Sequence, residues 1–180
     1  VKNELDVVRD VSQKFQQLGI PFMLTGSMAM NYYAEPRMTR DIDLVVELDA
    51  SGLSRMIELF ESEYYVSREA ASRAVSRGSM FNLIHEESVI KVDCIMRRKD
   101  AFRELEFRRR KEVQISDFTT WIVSKEDLIL SKLVWAKASR SALQIGDVRN
   151  LLSTGYDQDY LASWSSVLSV AELLRECSSG

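Results

Sequence analysis

Apolar residues recur at three- and four-residue steps over positions 2–18, where Leu5, Val8, Val11 and Phe15 share one face. That spacing predicts an amphipathic helix. "PFMLT", entered through Gly19, reads as a short strand. Positions 27–34 fit a helix that must stop before Pro36. Apolar alternation over 42–48 predicts another strand, and Leu53, Met56, Ile57 and Phe60 mark one face of a further helix. "SMFNLIH" and "VIKVDCIM" then read as two strands joined by a turn at "EES". A basic helix is expected over about 99–109, and "KEVQI" and "TTWIV" as a last pair of strands.

Beyond Val123 the period turns helical throughout, with helices expected at 124–138, 141–152, 160–168 and 170–176. Ser124 and Asp127 have the spacing of a capping box, and Gly155 fits a stop after the second of these helices. The expected architecture is therefore α+β. A mixed β-sheet flanked by helices occupies 1–123, and a C-terminal helical bundle occupies 124–180. The pattern contains no internal repeat.

Composition narrows the chemistry. The 180 residues, 46% hydrophobic and 28% charged, suit one globular domain or a core with an appendage, and 7 Gly with 2 Pro argue against disorder. The net charge of -3 gives no general affinity for polyanions. Cys94 and Cys177 are expected as free thiols in a reducing compartment. No leader pattern opens the sequence and no apolar run approaches membrane length, so a cytoplasmic location without a membrane partner is expected. His85 is the only histidine; it excludes a His-rich zinc site and reads as a structural or surface residue in a strand-like run.

The carboxylate pattern is the chemical signal. On the strand that begins near Ile42, Asp41 and Asp43 fall on one face, opposite Ile42, Leu44, Val46 and Leu48. Two ionised carboxylates so close repel, and need either a cation or a shared proton. Hard oxygen donors suit Mg²⁺, and two such ions can clamp the attacking and leaving oxygens of an in-line displacement. Two solvated aspartates at a strand end are the plainer alternative. Gly26 and Ser27 lie between a strand and a helix, where backbone N–H groups favour a phosphate. Asp93 is a lone acid in an otherwise apolar strand and needs a partner, either a neighbouring strand's acids with a metal or a salt bridge such as one from Lys91.

Strand, Gly-Ser opening a helix, D-x-D and a later strand acid together resemble the nucleotidyltransferase superfamily of DNA polymerase β. "RMTRDID" is similar to the segment found in small bacterial members, including the AbiEii-type toxins, and "SKEDLILSKLVWAKAS" with "QIGDVRNLL" is similar to their helical region. The resemblance covers about 25–175. It implies a phosphate-binding Gly26–Ser27, metal-binding Asp41 and Asp43, and Asp93 as the third carboxylate, assisting deprotonation of an acceptor hydroxyl. All three acids would converge beside the Gly-Ser bend. The cofactors implied are two Mg²⁺ ions, or Mn²⁺, with an NTP as substrate.

Lys132 lies in a strongly apolar helix, so it either snorkels to solvent or reaches a fixed anion such as the NTP phosphates. Asp147 could hold Lys132, Arg149 or a helix terminus. Arg37 and Arg40 flank the D-x-D strand and are candidates for phosphate contact or for plain surface roles. Positions 97–111 carry eight basic and three acidic side chains. This cluster, with Arg97, Arg98, Arg103, Arg108, Arg109 and Arg110, is either a solvated helix or a footprint for RNA or tRNA. The function expected is metal-dependent transfer of an NMP from an NTP to a hydroxyl of RNA, protein or a small molecule, in a toxin–antitoxin setting with a partner protein. The alternative is a non-catalytic nucleotide- or partner-binding module on the same fold.

Overall fold

The computed structural model describes residues 1–179. The first part of the chain forms α1 (Glu4–Leu18), β1 (Phe22–Thr25), α2 (Gly26–Tyr33), β2 (Ile42–Val46), α3 (Ala50–Phe60), β3 (Tyr64–Tyr65), α4 (Arg68–Arg77), β4 (Met80–His85), β5 (Lys91–Met96), α5 (Ala101–Arg108), β6 (Lys111–Ile115) and β7 (Phe118–Ile122). Four helices follow: α6 (Lys125–Ser139), α7 (Ala142–Leu152), α8 (Gln158–Val167) and α9 (Ala171–Ser178). The chain divides into two compact units, Val1–Met28 with Met38–Val123, and Ala29–Arg37 with the residues from Ser124 on.

In the first unit the strands form one mixed sheet in the order β3-β4-β5-β2-β1-β7-β6. β2 runs parallel to β5 and β1 parallel to β7; the other neighbours are antiparallel. Period-two alternation decides which side is core. Ile42, Leu44 and Val46 on β2 and Val92, Cys94 and Met96 on β5 are buried, while Asp43, Val45, Asp93 and Ile95 between them are only partly covered. α1 and α3 pack together, α1 lies against β7, and α4 bridges α3 and β4. Phe15, Phe22, Phe60, Tyr64 and His85 form a chain of tilted and edge-on rings between these layers. His85 is buried and shares a hydrogen bond with the Ser88 hydroxyl at 2.8 Å, so it is a structural residue.

The α+β expectation is met, and most element boundaries shift by one to three residues. Two elements carried no apolar period. β3 has two residues. α4 buries only Ala71 and Ala74, so no large apolar stripe marks it. Its signals are local: the Ser67 side chain accepts from the Ala70 N–H, Glu69 pairs with Arg73, and Gly78 closes it in the left-handed region at φ 66°.

In the second unit α6 is buried on most sides, through Leu128, Ile129, Leu130, Leu133 and Ala136, so it is the central helix. The Ser124 hydroxyl accepts the Asp127 N–H and donates to the Asp127 carboxylate, which also accepts from the Tyr160 hydroxyl. The segment Ala29–Arg37 belongs here because Asn150 on α7 exchanges two hydrogen bonds with the Glu35 backbone and Asp147 binds Arg37. Sequence reading had placed that segment in the α/β core. Cys94 and Cys177 are both buried free thiols, and among the described residues no helix is long and apolar enough to cross a membrane.

Candidate active site

The parallel pairing of β2 with β5 sets Asp43 directly beside Asp93. Their flanking residues, Ile42 with Val92 and Leu44 with Cys94, point into the core, so both aspartates point to the opposite face. Antiparallel pairing with β1 places Thr25, the residue before Gly26, opposite Asp43. Asp41 is exposed and lies just ahead of β2, with its N–H donating to the Thr39 hydroxyl at 3.3 Å.

Gly26 is required here twice over. It opens α2 with φ at 64°, in the left-handed region that side chains resist. A Cβ at this position would also lie 2.2 Å from Oδ2 of Asp43. The Asp43 carboxylate thus occupies the space that the glycine leaves, at the N-terminal turn of α2, where negative charge is favoured. Ser27 is the next residue of that turn and is half-buried. Gly26→Ala should cost about 1–3 kcal/mol from backbone strain and displace the Asp43 carboxylate as well. A thermal melt checks this; a melting point equal to wild type would contradict it.

Asp93 has partners at both oxygens. Asn82, its register partner on β4, donates to Oδ1, and the Lys91 ammonium donates to Oδ2 at 3.1 Å. The Lys91 ammonium is held above its ordinary value, first by the hydrogen bond to Asp93 and then by the charges of Asp93, Asp41 and Asp43, which outweigh the cost of its burial. All three carboxylates therefore act on one lysine. The resemblance implies that they converge on a single cation-binding point. Among the described residues no three acid, histidine or cysteine side chains are gathered closely enough to close around an ion. The donor chemistry, oxygen-only carboxylates on one sheet face, fits a hard divalent cation.

Arg40 is exposed in the loop that leads into β2. Arg37 and Lys132 lie in the other unit. Asp147 accepts two hydrogen bonds from Arg37, at 2.8 and 2.9 Å, and one from Lys132 at 2.8 Å. Lys132 is buried and also donates to Gln144 Oε1 at 3.1 Å. Burial pushes the Asp147 carboxyl up, but the hydrogen bonds and charges of Arg37 and Lys132 hold it below its ordinary value. Of the alternatives for Lys132, the structure gives the fixed anion, and the anion is Asp147.

The basic stretch is partly consumed internally. Arg97 reaches Glu47 at 2.6 Å and Arg103 reaches the buried Glu106 at 2.9 Å. Arg110 stacks between the rings of Phe107 and Trp121, at 4.3 and 4.8 Å. Arg98, Lys99, Arg108 and Lys111 face solvent, and Arg109 is half-buried. A shallow cavity of about 310 Å³ lies among Glu47, Arg97, Phe107 and Arg110. Glu47 follows β2, so this cavity is at the opposite end of that strand from Asp41.

Comparison with known proteins places this geometry in context. The model of the family "Nucleotidyl transferase AbiEii toxin, Type IV TA system" matches residues 10–170. No curated protein matches the sequence. Among solved structures, the lincomycin-bound lincosamide antibiotic adenylyltransferase LnuA has a TM-score of 0.58 at 18% identity, covering 86% of this chain and 98% of its own. The antibiotic-resistance factor ANT(2'')-Ia has a TM-score of 0.61 at 14% identity, over 97% and 94% of the two chains. An antigenic nucleotidyltransferase-like protein from Paracoccidioides brasiliensis has a TM-score of 0.58 at 14% identity, over 95% and 89%. At these identities the likeness is one of fold.

Proposed function

Because the chain belongs to the AbiEii nucleotidyl transferase toxin family, we propose that the face carrying Asp41, Asp43 and Asp93 is the centre of a metal-dependent nucleotidyltransferase. The observation that supports this most is the register of Asp43 with Asp93 beside Gly26, where the carboxylate of Asp43 fills the space at the start of α2. Asp41 and Asp43 would hold a divalent cation, Mg²⁺ or Mn²⁺, joined by Asp93 in competition with Lys91. Bound there, the metal would neutralise the triphosphate and the leaving oxygen.

The residues of the chain supply the remaining steps. The N-terminal turn of α2, at Gly26 and Ser27, offers N–H groups to a phosphate. Arg40 adds charge at the loop before β2. The acceptor hydroxyl oxygen bonds to the α-phosphorus of the NTP, the bond from that phosphorus to the β-phosphate oxygen breaks, and pyrophosphate leaves. Asp93 takes the hydroxyl proton. Arg37 and Lys132 would contact phosphate only after exchanging Asp147 for it.

The acceptor is read as RNA or tRNA, docked through the solvent-facing Arg98, Lys99 and Arg108, in a toxin–antitoxin setting. Antibiotic acceptors, as in the adenylyltransferases above, are the competing class. The test is to incubate the protein with each labelled NTP, Mg²⁺ and either total RNA or a lysate. Label on RNA with Mg²⁺-dependent pyrophosphate release is expected. NTP binding without pyrophosphate release would favour a binding module, which the engagement of Asp93 by Lys91 would suit.

A further inference from the structure

We propose that Lys91 is a built-in counterion of the acid face, which pairs with Asp93 and competes with a divalent metal for that carboxylate. This rests on the reading of Asp41, Asp43 and Asp93 as a metal site. Three placements carry it. Lys91 opens β5 and Asp93 follows two residues later on the same strand, so their side chains leave one face and meet at 3.1 Å. Asn82, opposite Asp93 on β4, takes the other carboxylate oxygen. Each oxygen of Asp93 thus already carries one hydrogen-bond donor, and the one on Oδ2 is a cation. Asp43 lies beside Asp93 on the neighbouring strand, so the ammonium stands at the edge of a group of three negative charges. It offsets their repulsion while no cation is present.

The lysine is suited to leave. Its side chain is 45% exposed, against 14% for Asp93, so it can swing into water at little cost while the carboxylate stays. An exposed single contact of this kind is weak on its own. A divalent cation carries twice the charge and replaces it readily. The device sets a threshold: metal binding at this face competes with an internal cation whose effective concentration is fixed by the strand. Arginine at this position would keep the competition, and an uncharged side chain would remove it.

The test is direct binding of Mn²⁺ alone, followed by the paramagnetic signal of the unbound ion, in the wild type and in Lys91→Met, Lys91→Arg and Asp43→Ala. Lys91→Met should bind Mn²⁺ roughly tenfold more tightly than the wild type, because one opposing charge at close range has been removed. Lys91→Arg should stay within about twofold of the wild type, since it keeps that charge. Asp43→Ala should lose the binding. Equal or weaker binding by Lys91→Met, with Asp43→Ala still defective, would overturn the counterion role alone. Binding unaffected by Asp43→Ala, or absent from every form, would remove the metal-site reading and the inference with it.

Discussion

Asp43→Asn should lower nucleotide transfer by about 10²–10³-fold while leaving the fold intact. Asparagine has the same shape, so it still fills the space against Gly26 that a Cβ would otherwise enter. It lacks the charge, and charge is what a carboxylate contributes to holding a cation and its phosphates. Removing one of two neighbouring negative charges relieves repulsion but gives up the favourable charge at the start of α2, so the melting temperature should change little. Labelled-NTP transfer and a circular-dichroism melt measure the two quantities on one preparation. Transfer within a few-fold of the wild type would show that the β2 face is not the reaction centre.

Asp147→Ala should destabilise the helical unit by about 3–5 kcal/mol, because it removes one partner of a buried charge group. Lys132, only 4% exposed, would keep its charge with nothing but Gln144 Oε1 beside it. Arg37 is 29% exposed and can turn to water, so most of the cost falls on Lys132. Lys132→Met should cost less, since Asp147 retains both bonds from Arg37. A fall in melting temperature of roughly 10 °C is expected for Asp147→Ala, and a change near zero would contradict the account. The same carboxylate gives a pH dependence. Its folded-state value lies below the ordinary 3.8, so its stabilisation is complete above about pH 4 and is lost as pH falls through the lowered value. A melting curve that is flat between neutrality and pH 3 would contradict this sign.

Local pattern carried the strands and most helices, because alternation and three-to-four spacing are properties of neighbouring residues. Ile42, Leu44 and Val46 advertise which side of β2 is buried, and so which side Asp43 takes. The pairing that matters for chemistry is different in kind. That β2 lies beside β5, with Asp43 at the level of Asp93, has no local signature, since nothing in either strand names its neighbour. Sequence did offer Lys91 as a salt-bridge partner for Asp93, but not that Asn82 would take its other oxygen. The partner of Lys132 was left among several options for the same reason. Arg37 meets Asp147 across 110 positions, a relation that only folding reveals. α4 escaped because alanine is too small to print an apolar stripe.

The stitching of Ala29–Arg37 into the helical unit has a bearing on how such a chain can evolve. Its C-terminal helices cannot be exchanged as a cassette at Val123. Asn150 grips the Glu35 backbone and Asp147 grips Arg37, both residues encoded well upstream of that junction. A recombinant that imported foreign helices would need a matching short insert between the first helix turn after β1 and the strand that follows. Lineages that exchange the tail are therefore expected to change both stretches together.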